Sequence, residues 1–288
     1  MSNCGESMES CCTSLEVTGG AYYRTYDTAS YCGDAGTCEV ALAADGGPTG
    51  EADPAAVSSF RLDKYLVTVG RFRQFVSAWN GGNGYAPGAG SGKHTYLNGG
   101  LGLVDVGALT DGGAVYEPGW VATDDSNISP TNMNFASCAL PTWTNMAGSQ
   151  ENLPINCVNW YEAYAFCIWD GGFLPSEAEW EYAAAGGSQQ REHTWGSAAP
   201  GTANQYAIYG CYYPSGDVSC TGVTNIAAVG TATLGVGLWG QLDLAGELFE
   251  WNLALLRDLP LGAEGSDGSR RSWSRTGAAW STPAVAVA

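Results

Sequence analysis

The chain of 288 residues is poor in positive charge. It contains two lysines, Lys64 and Lys93, two histidines and nine arginines against 29 acidic residues, and its formal net charge is −18. Nucleic acids and anionic membrane surfaces attract proteins through clustered Lys and Arg side chains. The composition therefore excludes both as expected partners. Solubility is the simpler explanation of the acidity, and an acidic binding face is the alternative.

The sequence also lacks targeting and membrane-spanning signals. No stretch approaches the length of a transmembrane helix, and residues 1–20 contain neither an apolar run nor a basic segment typical of a signal peptide. Ten cysteines are nevertheless many for a reducing compartment. We therefore expect an extracellular or cell-envelope protein whose signal lies upstream or has been removed. The pairs spaced for disulfides are Cys32 with Cys38, Cys138 with Cys157, and Cys211 with Cys220.

Several catalytic motifs are missing as well. We find no Gly-rich phosphate loop, nucleophile elbow, zinc-ligand spacing or internal repeat. What the chain has instead is 41 glycines and 11 tryptophans, which indicate a loop-rich domain with aromatic anchors. Residues 33–56 are predicted to be loop. Residues 83–150 form a longer turn-rich stretch, which is typical of a functional segment or an elaborated surface insert, and His94 within it is a candidate contact residue.

Three helices have recognisable starts. Asn159 with Glu162, and Ser176 with Glu179, have the spacing of capping boxes, in which side chain and backbone satisfy each other. Thr68 is predicted to cap a helix that follows a strand over Phe60–Val67. Cys167 lies on the apolar face of the helix after Asn159, and a buried packing thiol is its simplest interpretation.

The two capped helices belong to the run NWYEAYAFCIWDGGFLPSEAEWEYAAAGG, which closely resembles the signature block of the formylglycine-generating enzymes, the sulfatase-modifying factors. A second block over residues 237–251, GLWGQLDLAGELFEW, and a third over residues 60–69 resemble two further family motifs. The resemblance covers residues 17–251. It identifies the chain as a member of this family.

The resemblance implies the fold. The expected architecture is α+β, a single loop-rich domain of sulfatase-modifying-factor type related to C-type lectin-like domains, with a small twisted antiparallel sheet and short helices. We expect a polar N-terminal segment at 1–16, the domain at 17–251 and an aberrant tail at 252–288. The tail departs from the family pattern after Trp251, which we interpret as a frameshift or truncation.

The second block implies a structural calcium site. Its family counterpart binds calcium through two side chains and two backbone carbonyls, and hard cations of this kind prefer oxygen ligands. A second family site is matched in half, and its remaining acidic ligand has only Asp217 as a candidate. The alternative for Glu250 is a simple hydrogen bond to the turn. The expected ligands are Asp243, Gly246, Leu248 and Glu250, with Asn204 and Gln205 for the second site.

The family's oxidase centre has no counterpart in this sequence. The resemblance implies copper held by two cysteines near the C-terminus, and thiolates suit Cu(I) because a soft ligand matches a soft ion. No cysteine follows Cys220, and Thr282 stands at the position of the first copper ligand. We assign no catalytic residue.

Two functions remain. The first is a family member that resembles enzymes oxidising a sulfatase cysteine to formylglycine but is inactive as written, and its partner would be a sulfatase-type polypeptide. The second is a monomeric, non-catalytic module of lectin-like fold that binds a peptide or a glycan through residues 83–150.

Overall fold

The computed structural model describes residues 2–27, 31–32, 38–39, 49–104, 113–253, 272–274 and 283–285. Within these ranges the chain has four short α-helices and eleven short strands. The longest helix has 11 residues, and none is both long and apolar enough to cross a bilayer. This confirms the predicted α+β, loop-rich architecture.

The strands form five small sheets in the described ranges, four of them antiparallel pairs. β1 pairs with β2, β3 with β8, β4 with β7 and β5 with β6, while β9 lies between antiparallel β10 and parallel β11. The strands are β1 (Ser2–Cys4), β2 (Glu9–Ser10), β3 (Ser14–Val17), β4 (Gly20–Asp27), β5 (Tyr31–Cys32), β6 (Cys38–Glu39), β7 (Thr49–Val57), β8 (Phe60–Asp63), β9 (Phe249–Asn252), β10 (Ser272–Ser274) and β11 (Pro283–Val285).

One loop prediction was wrong, and one predicted strand is shorter than expected. The predicted loop over residues 33–56 contains most of β7, which pairs with β4, so that Pro54 lies opposite Tyr23. Its composition hides the strand because strand formation depends more on the partner than on intrinsic preference. The strand predicted over Phe60–Val67 begins at Phe60 but ends at Asp63, and the following Tyr65, Leu66 and Val67 are all buried.

The helices begin where their caps predict. α1 (Val69–Trp79) starts after Thr68, whose hydroxyl accepts a hydrogen bond from the Arg71 N–H. α3 (Trp160–Trp169) and α4 (Glu177–Ala184) both start with complete capping boxes. α2 (Asn132–Ala136) is a short helix inside the long turn-rich stretch. Since these caps use only neighbouring residues, local sequence specifies them.

Two of the apolar clusters involve the helices. α1 and α3 pack with aromatic residues of the 83–150 stretch, including the buried Trp120 and Phe135. α4 packs with β3, β4, β7 and β8 in the second cluster. Both Phe72 and Phe166 are fully buried, and their rings stack 5.2 Å apart. The turn-rich stretch is therefore part of the core.

Disulfides constrain several loops. Cys138–Cys157 and Cys211–Cys220 form as predicted, and Cys167 is a fully buried thiol. A further disulfide, Cys4–Cys11, packs the N-terminal hairpin β1–β2 onto the domain. Cys32 and Cys38 are register partners in β5 and β6, but their side chains lie outside the described part of the structure. The boundaries at residues 16 and 251 stay predictions.

Candidate functional site

A cleft of about 720 Å³ lies between four segments of the chain. Its lining comes from residues 12–14, from β8 and the start of α1, from residues 90–96, and from residues 170–173 after α3. The third segment belongs to the turn-rich stretch that the sequence predicts to be a functional segment or a surface insert. Pockets of this size, lined by rings and a few charged groups, are typical of ligand sites.

The floor of the cleft contains a buried ion-pair network. Arg71 is 3% exposed and forms ion pairs with Asp63 and Asp170, and it also donates a hydrogen bond to the Cys11 carbonyl at 3.2 Å. Burial raises the pKa of Asp63 to about 6, although Arg71 favours its ionised form. The guanidinium therefore joins the N-terminal segment, β8 and the end of α3 at one point.

His94 fastens the cleft wall to α4. Its side chain is fully buried, with Nδ1 3.1 Å from both carboxylate oxygens of Glu117 and Nε2 3.0 Å from Glu179. The ring also lies 4.4 Å from that of Phe173. The expectation that His94 contacts a ligand was wrong, because the residue is enclosed between two carboxylates.

His94 is protonated at neutral pH. Burial opposes the charge on the imidazole, but hydrogen bonds to Glu117 and Glu179 outweigh it and raise the pKa of His94 to about 9. Glu179 also accepts hydrogen bonds from the Ser176 N–H and hydroxyl at 2.8 and 2.7 Å, and Tyr96 donates to its other oxygen. Both nitrogens of His94 therefore act as donors, and the wall is fixed to the cap of α4.

The predicted calcium turn lies in a second region. Asp243, Glu247 and Glu250 are at most 6% exposed, and none of the ion pairs among the described residues involves them. Burial raises the pKa of Glu250 to about 8, and it raises the pKa values of Asp243 and Glu247 too. Three neighbouring acids without a cation are costly unless something neutralises them.

The orphaned atoms of this turn fit a hard cation. Glu250 Oε1 and Glu247 Oε2 are buried without a hydrogen-bond partner, and a cavity of about 10 Å³ lies beside Glu250. Gly246 has φ +88°, and a Cβ there would lie 2.4 Å from the Ile208 carbonyl oxygen, so the turn requires glycine. Oxygen atoms of this type suit calcium.

The second predicted half-site is less open. The buried Asn204 Oδ1 has no partner, but the Gln205 carbonyl accepts a hydrogen bond from Leu234 N–H at 2.8 Å, and Asp217 is exposed. Leu248 contributes a buried side chain to an apolar cluster. In the described ranges no group of three or more His, Cys, Asp or Glu side chains is arranged to hold a metal, so a cation at this turn would need backbone oxygens as ligands as well.

Sequence reasoning missed two features of these sites. Glu247 is the third acid of the turn, and its signal was an acidic residue directly after the required glycine. The cleft itself was not predicted, although Lys93, one of two lysines, lies in its wall.

Comparison with known proteins places the chain among relatives of differing activity. A formylglycine-generating enzyme of Thermomonospora curvata is 29% identical over 213 residues, which are 68% of this chain and 59% of the relative. An inactive Cα-formylglycine-generating enzyme 2 of Bos taurus is 34% identical over 36% of this chain and 35% of its own length. A hercynine oxygenase of Mycolicibacterium thermoresistibile is 34% identical over 37% of this chain and 22% of its own.

The chain thus spans less than two thirds of the curated relatives it matches. A family model described as a sulfatase-modifying factor enzyme 1-like domain matches residues 6–284, nearly the whole sequence. The family match and the α+β architecture both agree with the sequence motifs around α3 and α4. The chain belongs to the sulfatase-modifying factor family, the family of the formylglycine-generating enzymes.

Proposed function

We propose that this chain is a ligand-binding member of the family that does not carry out copper-dependent oxidation of cysteine. One relative is named formylglycine-generating enzyme and another inactive Cα-formylglycine-generating enzyme 2, so the comparisons are compatible with an active or an inactive chain. The proposal therefore depends on this chain's own residues. The observation that carries it is the preformed cleft between residues 90–96 and the start of α1.

The copper chemistry lacks a fitting donor set. Two thiolates must lie together to hold Cu(I). Among the described side chains two cysteines stand outside the disulfides: Cys12, which is exposed, and Cys167, which is fully buried in the core. Thr282, which lies outside the described residues, takes the sequence position of the first copper ligand, and a hydroxyl does not replace a thiolate. No step through copper follows from these residues.

The cleft supports binding because its wall is already formed. The buried network of His94, Glu117 and Glu179 holds the wall without a ligand. Ligand binding should therefore cost little conformational entropy in the wall. A peptide or glycan segment is the proposed ligand. A sulfatase-type polypeptide is the alternative partner, and it would be required if the chain retained oxidase activity.

The test of this function is a conversion assay. A cysteine-containing sulfatase-type peptide is incubated with the protein, Cu(I) and oxygen, and its mass is followed beside the Thermomonospora curvata enzyme as a positive control. We expect no change of mass with this chain. Conversion of the cysteine to an aldehyde would contradict the proposal.

We further propose that calcium occupies the turn at Asp243 and Glu250. The ion would be held by these two carboxylates with the carbonyl oxygens of Gly246 and Leu248, and Asn204 with Gln205 would contribute to a second site. Calcium would supply positive charge to buried acids and stabilise the turn, with no part in chemistry.

The proposed location is extracellular or in the cell envelope, and the proposed state is a monomer. Three described disulfides, Cys4–Cys11, Cys138–Cys157 and Cys211–Cys220, support an oxidising compartment. Fractionation of the source cells and light scattering of the purified protein test these two points. A cytosolic pool with reduced cysteines would contradict the first, and a dimer mass the second.

A further inference from the structure

We propose that the cleft recognises an anionic group of its ligand, a carboxylate, sulfate or phosphate, through Lys93 and Arg61. This deepens the proposed ligand-binding function and rests on it. The inference starts from the charges of the cleft, which differ from those of the chain as a whole.

Basic residues are concentrated in the cleft. The chain has 11 Lys and Arg residues, and four arginines at 257, 270, 271 and 275 lie outside the described ranges. Of the seven that remain, Arg61, Arg71 and Lys93 line this one cleft. Because the lining also contains Asp63 and Asp170, three bases against two acids leave the cleft with one net positive charge, in a chain of net charge −18.

The two acids of the cleft share one counter-charge. Asp63 and Asp170 both form ion pairs with Arg71 in the floor. Lys93 forms no ion pair among the described residues, and Arg61 forms none either. The positive charges of Lys93 and Arg61 therefore remain available to a ligand.

Arg61 is held in place by a neutral partner. Its Nε donates a hydrogen bond to Ser14 Oγ at 3.1 Å, and one terminal nitrogen donates to the Ser14 carbonyl. A guanidinium has five N–H donors, so several remain for an oxyanion. Because Ser14 fixes the side chain without cancelling its charge, Arg61 is preorganised for a carboxylate or a related group.

The opposite wall is rigid although it is rich in glycine. The Gly90 N–H donates to the Trp120 carbonyl at 2.7 Å, and the Trp120 N–H donates to the Ser91 carbonyl at 2.8 Å. The Tyr164 hydroxyl donates to the Gly92 carbonyl at 3.2 Å. Lys93 thus projects from a fixed backbone.

Aromatic side chains indicate that the ligand is an organic anion and not a bare ion. Phe60, Tyr96 and Phe173 all line the cleft, and Tyr96 is 41% exposed. Rings of this kind contact an apolar or ring-shaped body while the charged groups fix its orientation. Benzoate and benzamide are therefore suitable probes, since they share a ring and differ in charge.

The first experiment compares these two probes by saturation-transfer NMR. We expect benzoate to bind about five- to tenfold more tightly than benzamide, which corresponds to about 1 kcal/mol for one exposed charge contact. Lys93→Glu should abolish the difference. Arg24→Glu is the matched control, because it makes the same change of net charge on a residue that does not line the cleft.

Two results would overturn the inference. One is equal affinity of the wild-type protein for benzoate and benzamide. The other is an equal loss of the benzoate preference in Lys93→Glu and Arg24→Glu. Such a result would show that the preference comes from the net charge of the protein and not from the cleft. Competition by glutamate, sulfate and phosphate at one ionic strength then identifies which oxyanion the cleft prefers.

Cys12 provides a second measurement, because it is an exposed free thiol that lines the cleft. Its reaction with the dianion dithionitrobenzoate is compared with that of the neutral dithiodipyridine. Lys93→Glu should slow the dianion about tenfold and leave the neutral reagent within about twofold. Equal slowing of both reagents would count against a local charge effect.

The outcomes separate this inference from the proposed function. Equal binding of charged and neutral probes removes the anion preference and leaves a ligand-binding cleft. Conversion of the sulfatase-type peptide removes the proposed function and leaves the charge preference measurable.

Discussion

Two buried polar regions of this protein compensate in opposite ways for the hydration that their charged groups lose. Around His94, two carboxylates enclose one imidazolium, and each oxygen or nitrogen of the contact has a partner. Around Asp243, three carboxyls lie together, and two of their oxygens have no hydrogen-bond partner. Both regions are almost completely buried.

The difference shows whether each region needs a counter-charge from outside the protein. A buried charge is tolerated when it is paired and hydrogen-bonded, and it is costly otherwise. The His94 network supplies its own counter-charge and can therefore hold the cleft wall permanently. The Asp243 turn lacks one, so its stability depends on protonation or on a bound cation.

The largest expected effect comes from breaking the paired region. His94→Leu leaves Glu117 and Glu179 buried without their cation, and we expect a loss of about 3–5 kcal/mol in the free energy of unfolding. Urea denaturation measures it. His193→Leu is the control: His193 is partly exposed and stacks on Trp195, so its loss should cost under about 1 kcal/mol. Equal losses of unfolding free energy in His94→Leu and His193→Leu would refute the comparison.

The same pair has a defined pH dependence. The pKa of His94 is about 9 in the folded protein and about 6.5 in an unfolded chain, so its contribution is complete below pH 6.5 and is lost as the pH rises through 9. The stability difference between wild type and His94→Gln should shrink by about 3 kcal/mol between pH 6 and pH 10. A difference that stays constant over this range would show that His94 is not ionised.

The unpaired region should respond to calcium. With calcium at about 100 times its Kd, binding adds about 2.7 kcal/mol of stability and raises the melting temperature by several degrees. Glu250→Gln should remove the shift, whereas Glu192→Gln, a change at an exposed acid, should keep it. A melting temperature unaffected by calcium or by a chelator would contradict the proposed site.

The smallest expected effect concerns the cap that supports the pair. Ser176→Ala removes a hydroxyl that donates to Glu179 and caps α4, and we expect a cost of about 1 kcal/mol. Asn159→Ala, at the equivalent cap of α3, has no link to His94 and serves as the reference. If Ser176→Ala costs no more than Asn159→Ala, the hydroxyl acts as a helix cap alone and does not support the network.

Local parts of this fold were predictable from the sequence, and long-range parts were not. The caps at Thr68, Asn159 and Ser176 involve residues three positions apart, so the chain specifies them directly. β7 depends on β4, and His94 depends on Glu117 and Glu179, which lie 23 and 85 residues away. No short pattern contains such information.

The candidate site divides in the same way. Asp243 and Glu250 were expected from the resemblance of one contiguous block. The cleft was not, because its lining comes from four segments between residues 12 and 173. Its charge could have been anticipated only by noticing that Lys93 is one of two lysines in a strongly acidic chain.

The position of Arg71 has a consequence for folding kinetics. Its partner Asp63 is eight residues away, but Asp170 is 99 residues away, and the Cys11 carbonyl is 60 residues away on the other side. Contacts over such sequence separations form late, because the chain must first close large loops. During synthesis the cleft floor stays incomplete until residue 170 has emerged from the ribosome. Acquisition of binding should therefore lag behind helix formation during refolding.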